Sequence, residues 1–380
     1  MTWEVSANMD VRYEVRESVD LLDPANPTLS RLPGGGTSRG LRLVVVDRNV
    51  HHLYGNRIIA YFASTGIPIS LVVIEGDEYN KTMGQVLRVM SALDDIGTKR
   101  ISDPPIAIGG GVLLDVVGLA ASLYRRGIPH IRVPTTLLSL VDTSVAAKTG
   151  VNFQGYRNRI GSYSPAPVTL IDPSFLATVP SRQISNGAGE ILKLALIKDA
   201  ELFEILEAEG PRLIDDSFQG PGAARSAIRR AIAGMIDELR GNLWEKDLER
   251  VVDYGHSFSP LVEMTYVTEL LHGEAVTLDC LFSAVLAAGR GYLGEDDLLR
   301  AVLTAQRLNL PTWHRGFGDV ALLQRALADT VLHRDGRQNL PLMTGIGRST
   351  FVNDVTADEI ALAAAHLERL SERTTPRVEV

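Results

Sequence analysis

Glu190, His256 and His272 together offer one carboxylate and two imidazoles, the donor set of a catalytic zinc-type centre with positions left open for substrate oxygens. The same donors accept cobalt, because ligand type discriminates poorly between neighbouring divalent ions. His256 stands in the run Asp253-Tyr254-Gly255-His256-Ser257, and His272 in Leu271-His272-Gly273-Glu274. Lys193 follows Glu190 by three positions on a helical pattern, so the two share a face. No HExxH pattern is present, and Glu190 lies 66 positions from His256. Spacing alone therefore leaves each histidine open to an ordinary hydrogen-bonded structural role. His51, His52, His130, His314 and His366 take that structural reading.

A second constellation fills Val141–Ser162, where Asp142, Lys148, Asn152, Arg157 and Asn158 fall within 17 positions among small residues. Lysine and arginine neutralise phosphate, arginine in bidentate fashion, while asparagine adds neutral donors and aspartate holds or deprotonates sugar hydroxyls. The default alternative for such a composition is a solvated polar loop. Arg125 and Arg126 add cations shortly before it in sequence.

A third feature is Gly109-Gly110-Gly111, between the strand-like Ile106–Ile108 and an apolar helical pattern. Strand, glycine turn and helix N-terminus set backbone N–H groups where a pyrophosphate can sit, although the run is not GxGxxG and also reads as a tight turn. Asp47, at the end of an earlier strand, suits a ribose hydroxyl or a helix cap.

The elements that must hold these groups fall into two textures. Leu41–Asp47, Ile69–Ile74, Ile106–Ile108 and Ile131–Val133 are short β-branched runs alternating with helical patterns. That rhythm predicts a Rossmann-like parallel sheet covered by helices. Beyond about Pro180, Glu190–Glu207, Ala223–Leu239, His272–Leu293, Asp296–Leu308 and Thr356–Leu370 read as helices. The expectation is an α/β domain over residues 1–180 and a mostly α-helical domain over 181–380. The closing TTPRVEV is expected to fray.

Composition narrows the function classes. A net charge of −8 with scattered basic residues argues against a nucleic-acid or anionic-membrane partner. A lone cysteine, Cys280, excludes an internal disulfide and a cysteine-based zinc site. The N-terminus lacks a signal-peptide pattern, and no apolar run approaches the ~20 residues of a membrane span. A cytoplasmic enzyme acting on a small phosphorylated molecule is the expectation.

Six ordered blocks then carry a resemblance: GGGVLLDVVGLAAS, VPTTLLSLVDTSVAAKTGVN, RNRIGSY, NGAGEILK, YGHSFSP and LHGEAV. Together they resemble the dehydroquinate synthase superfamily of sugar-phosphate cyclases, in order over residues 41–347. The resemblance implies a dehydroquinate synthase-like fold, bound NAD and a divalent metal, zinc or cobalt, on Glu190, His256 and His272. It places Asp47, Asn49, Glu78, Lys81, Gly110, Gly111, Asp115, Thr135, Thr136, Asp142, Lys148 and Thr178 against NAD. It places Lys148, Arg157, Asn158 and Lys193 against substrate, and gives Arg126 a reach across a homodimer interface to the neighbouring site. Such enzymes transiently oxidise a sugar hydroxyl, eliminate phosphate, reduce the ketone again and close a carbocycle by intramolecular aldol addition.

Departures from the pattern indicate a branch. The Lys and Arg that grip a substrate carboxylate in dehydroquinate synthases fall at Met235 and Glu249, and neither can pair with one. The Asn before the GH motif is Asp253, the second His is Pro260, and His333 replaces a late Lys. With Asn242-Leu243-Trp244-Glu245, this set resembles the branch that cyclises sedoheptulose 7-phosphate to 2-epi-5-epi-valiolone for C7-cyclitol natural products. Ala146-Ala147 and Ala188-Gly189 differ from the pattern expected there, which leaves 2-epi-valiolone or valiolone as sister products and 3-dehydroquinate as the remoter alternative.

Overall fold

The computed structural model describes residues 1–31 and 40–374. The expected fraying of TTPRVEV lies outside those residues, apart from Thr374, which ends a helix.

The first half is built on six parallel strands in the order β1-β8-β5-β4-β2-β3. They are β1 (Glu14–Glu17), β2 (Arg42–Asp47), β3 (Ile69–Ile74), β4 (Ile106–Gly109), β5 (Ile131–Pro134) and β8 (Val168–Ile171). The central strands β2, β4, β5 and β8 are buried at every position, which is why their sequences run apolar without alternating. Around the sheet lie α1 (Arg48–Thr65), α2 (Met83–Asp95), α3 (Gly111–Leu123) and the short α4 (Leu137–Val141). The strand order reverses between β2 and β4, so their carboxyl ends, Asp47 and Gly109, flank the crevice where open α/β sheets bind ligands.

Strand β6 (Lys148–Phe153) pairs antiparallel with β7 (Tyr156–Tyr163) in a separate hairpin. The stretch Val141–Ser162, whose default reading was a polar loop, is thus largely a hairpin. Its polar residues alternate with Val151 and Ile160, which face each other and pack against the apolar α3 core.

The second half comprises α5 (Ser181–Ile197), α6 (Ala200–Asp215), α7 (Ala223–Asn242), α8 (Ser259–Thr265), α9 (His272–Gly289), α10 (Glu295–Arg307), α11 (Val320–His333) and α12 (Ala357–Thr374). One small hairpin, β9 (Leu340–Gly345) with β10 (Arg348–Val352), lies among them. The single helix expected over Glu190–Glu207 is two helices. Asp199 interrupts it by capping α6 through Leu202 N (3.0 Å), while its carboxylate binds Arg230. The helices α5 and α9 are buried along most of their length at the centre of a core that reaches back to α4. Among the described residues, no helix is long and apolar enough to cross a membrane.

Candidate active site

A cleft of about 1540 Å³ runs from the carboxyl ends of β2 and β4 to the N-terminal end of α9. At its inner wall α5 and α9 cross. A Cβ on Gly189 would meet the Gly273 carbonyl oxygen at 2.4 Å, so the helices approach backbone to backbone. That contact sets the neighbouring residues Glu190 and His272 face to face.

Glu190 is 2 % exposed, and its Oε1 accepts no hydrogen bond. His272 Nε2 lies 3.1 Å and His256 Nε2 3.6 Å from it. His272 Nδ1 faces Glu263 Oε2 at 2.9 Å and His256 Nδ1 faces the Tyr254 carbonyl at 3.3 Å. Both partners only accept, so each Nδ1 carries the proton and both Nε2 lone pairs converge on the orphaned carboxylate oxygen. All three ligand atoms fall within 4.8 Å of one another. One carboxylate and two imidazoles converging on one point fit a divalent cation, with Arg157 Nη1 at the rim, 3.4 Å from His272 Nε2.

The electrostatics agree at Glu190 and His256, whereas at His272 burial is outweighed by the Glu263 and Glu190 carboxylates, which raise it. Burial would raise the Glu190 carboxyl, yet Lys193 at 2.6 Å and the two histidines hold it well below its usual range. Burial and the Lys193 charge push His256 well down, keeping it a neutral donor. Burial would lower Lys193, but Glu190 and Asp142 raise it, so the ammonium stays charged. Burial and nearby Glu190 push Asp142 up.

The hairpin delivers the second constellation. Lys148 Nζ binds Glu245 Oε1 at 2.6 Å. Arg157 lies between Glu78 (3.6 Å) and Glu263 (3.4 Å). Asn158 accepts from Lys81 Nζ at 2.6 Å, and that ammonium also pairs with Asp115 at 2.6 Å. Asn152 joins the set through Glu78 (2.9 Å) and the Asn158 backbone N–H (2.9 Å).

At the sheet end, Asp47, Asn49, Gly110, Gly111, Asp115, Thr135, Thr136 and Thr178 line the same cleft. Gly110 and Gly111 open α3, so backbone donors and a helix N-terminus face the space. A dinucleotide pyrophosphate fits there. Asp47 does cap α1, its Oδ1 accepting from Asn49 N (2.8 Å) and Val50 N (3.3 Å), and its Oδ2 lies against Gly76, where a Cβ would come within 1.8 Å.

Asn152, Arg125 and Gly109 lie outside the lining, while every residue assigned to metal, NAD or substrate lines this cleft except two. Glu190 lies buried directly behind its wall, and Arg126 sits away from it, exposed, with φ +65°. His333 is exposed where it lines the cleft beside Asp253 and Arg334. Met235, Glu249, Asp253 and Pro260 also line it. The sequence reading missed Glu263, Arg250 and Arg334. For Glu263 the available signal was a lone acid among the apolar neighbours Val262 and Met264. Arg250 pairs with Glu245 (2.5 Å) and Asp253 (2.9 Å), and Arg334 reaches Asp253 at 3.6 Å.

Two family models match: 3-dehydroquinate synthase N-terminal over residues 71–186 and 3-dehydroquinate synthase C-terminal over residues 187–332. A 2-epi-5-epi-valiolone synthase from Streptomyces albus is 50 % identical over 380 residues, covering 99 % of this chain and 92 % of that protein. The solved structure of ValA, a 2-epi-5-epi-valiolone synthase from Streptomyces hygroscopicus subsp. jinggangensis 5008 with NAD+ and Zn2+ bound, superposes with a TM-score of 0.92. Its identity is 48 %, and the match covers 97 % of this chain and 99 % of ValA. A 2-deoxy-scyllo-inosose synthase complexed with carbaglucose-6-phosphate, NAD+ and Co2+ shares the fold at a TM-score of 0.78 and 22 % identity, covering 93 % of this chain and 96 % of that one.

Proposed function

The chain belongs to the 3-dehydroquinate synthase family, and within it we propose that it converts sedoheptulose 7-phosphate to 2-epi-5-epi-valiolone. The reaction runs through transient oxidation, phosphate elimination, reduction and intramolecular aldol closure. By reaction class it is a phosphate-eliminating lyase that serves C7-cyclitol biosynthesis. The supporting relatives are the 2-epi-5-epi-valiolone synthases at about half identity over nearly the whole chain. The observation that carries the substrate is the cleft wall at Met235, Glu249, Asp253 and Pro260, where none of the four is a cation and the neighbouring Arg250 and Arg334 are already paired with acids.

Bound NAD+ takes and returns one hydride, so net redox is zero, while a divalent metal ion polarises substrate hydroxyl and ketone oxygens as a Lewis acid. Glu190, His256 and His272 hold the metal. Asp47, Asn49, Glu78, Lys81, Gly110, Gly111, Asp115, Thr135, Thr136 and Thr178 hold the dinucleotide, with Asp142 and Lys148 between it and the substrate. Lys193, charged beside Glu190, donates to a substrate oxygen and stabilises negative charge developing there. Asp142, its carboxyl pushed up, is the neighbouring group able to hold a proton. Lys148, Arg157 and Asn158 orient the phosphate end, and Asp253 and His333 face the polyol end. The C–O bond to phosphate breaks as the adjacent acidified C–H loses its proton, which the departing phosphate itself can take.

The phosphate dianion also favours a homodimer. Among the described residues, each Lys and Arg lining the cleft already has a carboxylate within 4.0 Å. An exposed arginine from a second copy, Arg126, supplies the additional charge. Incubating the metal-loaded protein with sedoheptulose 7-phosphate and catalytic NAD+ tests the reading. Stoichiometric phosphate with the cyclitol ketone by NMR supports it, and absence of phosphate release overturns it.

A further inference from the structure

Glu245 belongs to none of the roles above, yet it is the most heavily bonded carboxylate on the cleft wall. Its side chain is 7 % exposed. It accepts from Lys148 Nζ (2.6 Å), Arg250 Nη1 (2.5 Å) and Tyr163 OH (3.2 Å). These donors come from strand β6, strand β7 and the segment that follows α7, so one side chain ties the hairpin to the helical half. Its backbone sits at φ +50°, a conformation an L-residue adopts only when its surroundings hold it there. Trp244, the residue before it, packs edge-on against Tyr163 with ring centroids 5.7 Å apart and anchors the same junction. Burial and the Glu245 carboxylate push the Tyr163 hydroxyl up to about 12, so it remains a donor at any working pH.

The partner that gives this arrangement meaning is Arg250. It adjoins Glu249 on the wall that faces the substrate's polyol end. Left free, its guanidinium would be the natural grip for a substrate carboxylate. Instead its charge is divided between Glu245 and Asp253 at 2.5 and 2.9 Å, with its side chain only 13 % exposed. A cation held by two carboxylates in a nearly dry site has little attraction left for a third.

We infer that Glu245 is a specificity-determining and positioning residue: it sequesters Arg250 so that the polyol end of the cleft rejects carboxylated sugar phosphates, and it holds the Lys148 ammonium in place at the hairpin. Specificity of this kind is a difference between two affinities, and an element that disfavours the wrong ligand serves as well as one that favours the right one. The inference rests on the reading of the substrate as a ketose phosphate without a carboxylate.

The test compares the metal- and NAD-loaded full-length protein with Glu245→Gln, an isostere that keeps size and removes charge. Equilibrium binding of two phosphorylated C7 sugars, one carboxylated and one neutral, is measured by calorimetry, alongside kcat and KM for sedoheptulose 7-phosphate. Glu245→Gln should tighten the carboxylated ligand about 10-fold relative to the neutral one, while kcat falls through the loosened Lys148. The double variant Glu245→Gln/Arg250→Met should return the binding ratio to the wild-type value, an effect that a purely structural role would not produce. An unchanged ratio in Glu245→Gln, or a ratio that persists without Arg250, overturns the inference. Both readouts are binding ratios, so they stand whether or not sedoheptulose 7-phosphate is turned over. Failure of that turnover in the wild type would strike the functional reading instead. Should Glu245→Gln not fold, Glu245→Asp, which draws the carboxylate away from Arg250 and Lys148, should shift the binding ratio in the same direction, and an unshifted ratio overturns the inference.

Discussion

Gly189 and Gly273 meet where α5 crosses α9, and neither position has room for a side chain. A Cβ on Gly189 would stand 2.4 Å from the Gly273 carbonyl oxygen, and a Cβ on Gly273 would stand 1.8 Å from that of Asn186. Each glycine adjoins a residue of the proposed metal centre. Gly273→Ala must therefore separate the helices and with them Glu190 and His272. The expected outcome is a loss of about 2 kcal/mol or more in denaturant unfolding, together with weakened metal retention. Unaltered metal content after dialysis would show that the crossing does not set the ligand geometry.

The metal site makes a sharper demand on the choice of variant. Glu190→Ala strands the Lys193 ammonium, which is 2 % exposed and paired to Glu190 at 2.6 Å, and breaking such a pair costs about 3–5 kcal/mol. Glu190→Gln and His272→Ala are the cleaner tests. Both should lose turnover and bind zinc more weakly by more than the ~10–100-fold typical of an outer-shell change, with near-native circular dichroism. Elemental analysis after chelation and reconstitution reads the outcome. Glu263→Gln, at a side chain that contacts His272 Nδ1 and Arg157, should fall within that ~10–100-fold range.

Much of this was legible in the chain. The β-branched runs at Leu41–Asp47 and Ile106–Ile108 declare buried parallel strands, and the ordered motifs carry Asp142, Lys148, Arg157, Asn158, Glu190, Lys193, His256 and His272. What escaped depends on contacts between distant segments. The edge strand β1 is four mostly exposed residues with no apolar pattern, and it exists only because β8 pairs with it. Glu245, Arg250 and Arg334 become a network only once the segment after α7 folds against the hairpin and α11. Gly189, read from sequence as a departure that could mark a different product epimer, has a packing reason in the helix crossing. His130 also differs from expectation, because it is fully buried and neither ring nitrogen finds a hydrogen-bond partner.

That histidine predicts a pH dependence of stability. Burial, reinforced by the Arg132 charge, pushes His130 well below its ordinary value. The unfolded chain takes up a proton near pH 6.5 while the folded one does not, so stability falls as pH drops through and below that point. One such group contributes about 1.4 kcal/mol per pH unit below 6.5. Denaturant unfolding at pH 7.5 and 5.5 should show the loss, and His130→Leu should lessen it by about 1 kcal/mol. An identical pH slope in the variant would remove His130 from the explanation.

If Arg126 completes a neighbouring site, its loss can be repaired in trans. Arg126→Ala should lower turnover about 100-fold, the equivalent of one charge-assisted contact of just under 3 kcal/mol, with NAD+ binding intact. Subunits of Arg126→Ala reassembled with an inactive Lys193→Ala chain should regain about a quarter of wild-type activity, since half of the randomly formed dimers then carry one complete site. No recovery on mixing would confine Arg126 to a surface role.

The central claim is that this cleft closes a carbocycle from a ketose phosphate that has no carboxylate. Its most direct test is kcat/KM, by phosphate release, for sedoheptulose 7-phosphate and for the carboxylated C7 precursor used by dehydroquinate synthases. Measured side by side on the metal- and NAD-loaded protein, the values should favour sedoheptulose 7-phosphate by at least about 1000-fold, with no accumulation of NADH. Preference for the carboxylated precursor, or NADH forming in proportion to substrate consumed, would contradict it.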